Sequence, residues 1–304
     1  MKKLLFNILL ILNIIFINCV SVEERTNQLN HAARYGQKDQ VDQLIKDGAV
    51  LSKDTLNSAI ISGNIEVVKF LLSKGLDING SDRNKMDSLT YSFESPKSQK
   101  EEMFKFLLAE GAKMENPYNI LYLGLRDMIT PAVTAAIESG AYVDNSLVFE
   151  AGTPEHLEIL LKNGANINAQ NSSGYTLLHI NIICCSPRPI SSKFLIEKGI
   201  NVNLKNNYGQ TALHIAIKEV DRVKFLLEQK NIDINARDND NATPLHYIWD
   251  ADTAKILLSK KGINKNPIDK FGETPYQKVR REVLERETDR NKALLYTLKQ
   301  AGCH

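Results

Sequence analysis

The sequence predicts an all-α fold, a solenoid of stacked helix pairs with short β-hairpin or turn tips between them, about nine repeats in number. Two interlocked phrases carry this prediction. The first runs Gly174-Tyr175-Thr176-Leu177-Leu178-His179, Gly209-Gln210-Thr211-Ala212-Leu213-His214 and Asn241-Ala242-Thr243-Pro244-Leu245-His246. It returns without its histidine as Gly272-Glu273-Thr274-Pro275-Tyr276-Gln277, and the four threonines lie 35, 32 and 31 residues apart. The second phrase, an apolar pair followed by Gly and then Asn, keeps step with it: Leu71, Leu72, Gly75 and Asn79; Leu160, Leu161, Gly164 and Asn168; Leu195, Ile196, Gly199 and Asn203. Self-similarity near 33 residues means one supersecondary unit repeated, and a unit that cannot bury its apolar face alone must stack on its neighbours.

Composition agrees with a folded chain. The 304 residues are 43% hydrophobic and 24% charged, enough for a sizeable core. Lys and Arg number 38 against 36 for Asp and Glu, so no net field recruits phosphate backbones, and nucleic acid is not an expected partner.

Taken in order, the first segment is a targeting signal. Lys2 and Lys3 precede an apolar run over residues 4–17, interrupted only by Asn7 and Asn13. Its 14 residues fall short of the roughly 20 that span a bilayer, so residues 1–18 read as a signal peptide. Cys19 follows in Phe16-Ile17-Asn18-Cys19, which resembles the lipobox of bacterial lipoproteins, with Phe16 and Asn18 where that pattern has Leu and a small residue. The resemblance implies lipidation at Cys19, a tether over residues 19–26, export to the cell envelope, and membrane contact only through that lipid. Secretion or a periplasmic location is the alternative.

The repeats occupy residues 27–304. Residues 30–79 hold two complete copies. In Leu56-Asn57-Ser58-Ala59-Ile60-Ile61-Ser62-Gly63 the small Ala59 permits close helix approach, and Gly63 suits a left-handed helix end. The second helix follows at once, its Val67, Val68, Leu71 and Leu72 forming one apolar face closed by Gly75. Residues 82–145 are degenerate and keep only the ends of second helices, as in Phe106-Leu107-Leu108-Ala109-Glu110-Gly111 and Ala135-Ala136-Ile137-Glu138-Ser139-Gly140. From residue 160 the threonine phrase marks first helices: Thr is a good N-cap, and Pro244 and Pro275 suit the first helical position. Trp249 is expected in the core of its first helix, at the position of Ile60. Residues 269–304 form a C-terminal capping repeat, with Leu294, Leu295 and Leu298 inward and the charged stretch Arg280-Arg281-Glu282 outward.

These phrases resemble the ankyrin repeat family over nearly the whole chain past residue 26. The resemblance implies a non-catalytic scaffold that binds a protein partner through its hairpin tips and the concave side of its first helices. Carried over by position, the implied tip contacts include Ser173, Tyr175, Asn207, Tyr208, Gln210, Asn239, Asp240, Lys270, Phe271 and Glu273. The implied first-helix contacts are Lys218, Glu219, Asp250 and Ala251. Tyr175, Tyr208 and Phe271 stand out, since aromatic side chains anchor interfaces. The resemblance also gives His179, His214 and His246 a structural role, hydrogen-bonding within and between repeats.

Chemistry beyond binding finds little footing. Equivalent histidines on stacked units stand about 10 Å apart, too far to share a metal ion whose ligands lie within roughly 2 Å of it. Neither a metal nor any cofactor is expected. No Gly-x-Ser-x-Gly elbow, phosphate loop or His-Glu-x-x-His helix occurs, and Asp238 and Asp240 belong to turns. The expected function is a monomeric, envelope-tethered adaptor. An inhibitor, immunity protein or protective regulator of an envelope enzyme or toxin is the second reading, and an unrecognised hydrolase using Cys184 a distant third.

Overall fold

A computed structural model describes residues 21–79, 86–183 and 190–304. Cys19, Cys184 and Cys185 lie outside the described residues. Contacts divide the chain into two compact units, Met1–Tyr142 and Val143–His304.

The earlier unit holds four helix pairs: α1 (Val22–Arg34) with α2 (Lys38–Lys46), α3 (Lys53–Ser62) with α4 (Ile65–Ser73), α5 (Ser88–Ser92) with α6 (Lys100–Ala109), and α7 (Pro117–Asp127) with α8 (Thr130–Glu138). First helices pack on first helices, α1 on α3, α3 on α5 and α5 on α7, and second helices pack likewise, α2 on α4 and α6 on α8. Local chemistry starts each pair. Ser52 caps α3 by accepting the Thr55 amide hydrogen, and Asn64 caps α4 through the amides of Glu66 and Val67. Val67, Val68 and Leu71 are fully buried, as are Ala59 and Ile60 across from them. Where the sequence keeps only second-helix ends, the first helices α5 and α7 are nonetheless present. An ion pair of 2.6 Å between Lys100 and Asp127 joins α6 to the end of α7.

The later unit holds five pairs. Their first members are a 3-10 turn (Asn145–Phe149), α10 (Leu177–Ile183), α12 (Ala212–Ala216), a second 3-10 turn (Pro244–Tyr247) and α15 (Pro275–Glu285). Their second members are α9 (Pro154–Lys162), α11 (Ser192–Glu197), α13 (Val220–Leu227), α14 (Ala251–Leu258) and α16 (Asp289–Gln300). The described residues thus form nine pairs, all helical, and the tips are turns: no strand occurs among the described residues.

The Asn of the second phrase joins consecutive repeats. Asn203 Oδ1 accepts the Asp233 amide hydrogen at 2.8 Å while its Nδ2 donates to the Asn231 carbonyl at 2.6 Å. Asn79 bonds Lys113 and Gly111 in the same way, and Asn235 bonds Asn264 and Gly262. Asn266 likewise accepts from the His304 amide of the repeat that follows it, and the His304 carbonyl accepts from Thr274 Oγ1 at 2.7 Å.

Two expectations need correction. Trp249 is not core: it is 48% exposed, and the Arg290 guanidinium lies over its ring, 4.1 Å from the ring centre. The first helix of that repeat is a single 3-10 turn, and the buried Ile248 leaves it in extended conformation, so Trp249 falls past the helix. The four implied first-helix contacts also lie outside the first helices. Lys218 and Glu219 follow the end of α12, Asp250 is the N-cap of α14, and Ala251 is its first residue.

Candidate functional site

The tips of the later unit form from one five-residue turn used four times, at residues 171–175, 206–210, 238–242 and 269–273. In each, the first residue is Asn or Asp, and its amide hydrogen bonds the carbonyl of the fifth residue at 2.9 to 3.1 Å. Its side-chain oxygen accepts the amides of the third and fifth residues. A short acceptor held over its own backbone is what Asn and Asp offer in turns. The fourth residue takes positive φ: Gly174 and Gly209 at 76°, Gly272 at 78°, and Asn241 at 58° in the third tip. At Gly209 a Cβ would stand 2.5 Å from the Asn239 backbone nitrogen, so close tip approach as well as φ demands glycine. Backbone bonds then join neighbouring tips, from Asn207 to Ser173, Asn239 to Tyr208 and Lys270 to Asp240.

Beneath each tip a histidine pins it to the next repeat. His179 Nε2 meets the Gln210 carbonyl at 3.1 Å, His214 Nε2 meets that of Ala242 at 3.3 Å, and His246 Nε2 meets that of Glu273 at 3.2 Å. A carbonyl only accepts, so Nε2 carries the proton, and Nδ1 accepts the amide hydrogen of Thr176, Thr211 or Thr243. These rings are neutral. Burial, the largest influence, holds all three imidazoles below their ordinary pKa. In the fourth copy Gln277 Oε1 accepts the Thr274 amide at 2.8 Å in place of an imidazole nitrogen.

On this scaffold Tyr175, Tyr208, Gln210 and Asp240 converge, together with Asp238, Asn239 and Tyr247, around an open hollow of about 500 Å³. Tyr208 is 63% exposed, while Tyr175 is half-buried with its ring edge-on to His179. Asp240 is paired with Lys270 of the next tip, whose ammonium also stands 5.0 Å from the centre of the exposed Phe271 ring. Asn207 ties tips together, donating to the Ser172 carbonyl and accepting from Asn239 Nδ2 at its own. Lys218 is exposed and Asp250 caps α14 through the amides of Asp252 and Thr253; neither lines the hollow.

Tyr247 was not singled out from the sequence. Its hydroxyl donates to Asp238 Oδ2 at 2.5 Å, and burial followed by this bond pushes its pKa well above the ordinary phenol value. Its signal lay in the repeat itself. Four residues after the threonine stand Ile180 and Ile215 in two copies, but Tyr247 and Lys278 in the next two, and the Lys278 ammonium sits 4.9 Å from the Tyr247 ring centre.

Among the described residues no group of three or more His, Cys, Asp or Glu side chains could hold a metal ion, and no helix is long and apolar enough to cross a membrane. Cys303 is buried, and burial raises its thiol pKa.

Helix pairs, asparagine staples, histidine pins and bonded tips define a helix-pair repeat protein whose exposed tips vary while its interior repeats. The family model for ankyrin repeats (3 copies) matches residues 10–118 and 146–238, about two thirds of the chain. The chain belongs to the ankyrin repeat family. Such repeats are generally non-catalytic scaffolds for protein–protein interaction. Helix pairs of the same kind continue beyond the matched stretches, through α14, α15 and α16. No curated protein matches the chain.

Proposed function

We propose that this chain is a non-catalytic, monomeric binding protein that holds a protein partner through the tips of its later repeats, needing no cofactor. One observation carries the reading: Tyr175, Tyr208 and Asp240, from three successive tips, meet at one hollow beside the exposed Phe271. Aromatic side chains supply large contact area at small entropic cost, and a pre-bonded scaffold leaves little ordering to be done on binding. Replacing Tyr175, Tyr208 and Phe271 together by alanine should cut affinity for the partner by at least about 100-fold, given roughly 1 kcal/mol or more per anchor. Unchanged capture of the partner by a folded triple variant would remove the tips from consideration.

The reading places the protein at the cell envelope as an exported lipoprotein, tethered through Cys19. Its support is the order of Lys2, Lys3, the apolar run of residues 4–17, and the cysteine directly after Asn18. Cells fed labelled palmitate should label the wild-type chain and not Cys19→Ala; equal labelling of both would remove the tether.

A further inference from the structure

We propose that the hollow takes the guanidinium of an arginine side chain on the partner, and that Lys270 is the internal cation which this arginine displaces. The inference rests on the reading that the tips bind a protein. Tyr175, Tyr208 and Tyr247 line the hollow together with the carboxylates of Asp238 and Asp240. Tyrosine faces attract cations through the ring quadrupole, and the carboxylates add full charge. The chain's own cations already answer both attractions at the rim. Lys278 stands over Tyr247, and Lys270 pairs with Asp240.

The two carboxylates are not equivalent. Asp238 is built into the scaffold, with Oδ1 on the amides of Asp240 and Ala242 and Oδ2 on the Tyr247 hydroxyl. Asp240 meets Lys270 at the surface, the two side chains 46% and 49% exposed. An exposed pair of this kind contributes little and exchanges readily. Once Lys270 swings away, the Asp240 carboxylate loses the cation that pairs with it and is left to a cation of the partner. Arginine suits that space better than lysine, because its flat fork can lie on a tyrosine ring and give two parallel N–H bonds to one carboxylate.

The test titrates the full ¹⁵N-labelled chain with acetyl-Gly-Arg-Gly-amide and with the matching citrulline peptide, an uncharged isostere, and reads the amide resonances of Tyr208, Asn239 and Asp240. The arginine peptide should move them, with the citrulline peptide at least about ten-fold weaker. Asp240→Asn should weaken arginine binding about five-fold or more, and Lys270→Gln should strengthen it about three-fold by removing the internal competitor. Asp221→Asn, which removes a carboxylate that is 98% exposed on α13, should change nothing. Equal shifts from both peptides would overturn the inference. So would weaker binding in Lys270→Gln, the result for a pair that only braces the tips. A photo-crosslinking benzoyl-phenylalanine in place of Phe271 separates the two levels. Partner adducts there without arginine binding would sink this inference and leave the tip reading standing. Arginine binding without adducts would sink the tip reading and the partner's part in the inference.

Discussion

Each pinning histidine spends both ring nitrogens on backbone groups, one inside its repeat and one in the next, which makes the ring's charge a matter of stability. Burial lowers the imidazole pKa in the folded chain, so the unfolded chain binds more protons as pH falls through the ordinary value near 6.5. Stability is therefore complete above that value and declines below it. Urea midpoints measured at pH 7.5 and pH 5 should show the loss. His214→Leu leaves the Thr211 amide and the Ala242 carbonyl without their partner and should cost about 2–4 kcal/mol. His214→Gln should cost less and flatten the acid slope, because Gln277 already accepts the threonine amide in the fourth copy. The histidine role was legible through the resemblance to ankyrin repeats, which the recurring threonine and histidine phrase carries. Trp249 misled because its alignment with Ile60 assumes a full first helix, and the single-turn helix before it moved it to the surface.

At the level of elements, the structure turns the second phrase from a pattern into a set of joints. The Asn of that phrase reads in sequence as a loop residue, and its periodicity alone marks it as more. Asn203→Ala removes two bonds between consecutive repeats and should lower stability by about 1–2 kcal/mol in urea denaturation, without altering helical content by circular dichroism. Gly209→Ala should cost at least about 2 kcal/mol, since positive φ and the approach of Asn239 both oppose a side chain. First helices in the middle of the chain were hidden for a physical reason. α5 has only five residues and α7 starts at Asn116-Pro117 without a threonine phrase, yet each buries the apolar residues that stacking requires, such as Leu89, Ile120 and Leu121. The tips had clear turn chemistry in sequence; that they are joined by backbone bonds, and not by strands, depends on side-chain oxygens taking the amides of each turn.

For the whole molecule, the central claim is that a regular interior presents an irregular set of tips to a partner. Five of the fourteen contacts implied from sequence, Tyr175, Tyr208, Gln210, Asn239 and Asp240, meet at the hollow, and Lys270 and Phe271 stand at its edge. Asn207 and Asp250 serve the scaffold instead, a distinction that depends on where a side chain points and that spacing does not carry. A second open surface tests the assignment: an apolar groove between α14 and α16, lined by Leu258, Ala293 and the 66% exposed Tyr296. Benzoyl-phenylalanine placed in separate variants at positions 208, 271 and 296, followed by irradiation in the cell that makes the protein, compares the two surfaces directly. The account predicts one dominant partner adduct from positions 208 and 271 and none from 296. Adducts from 296 with none from 208 or 271 would contradict it.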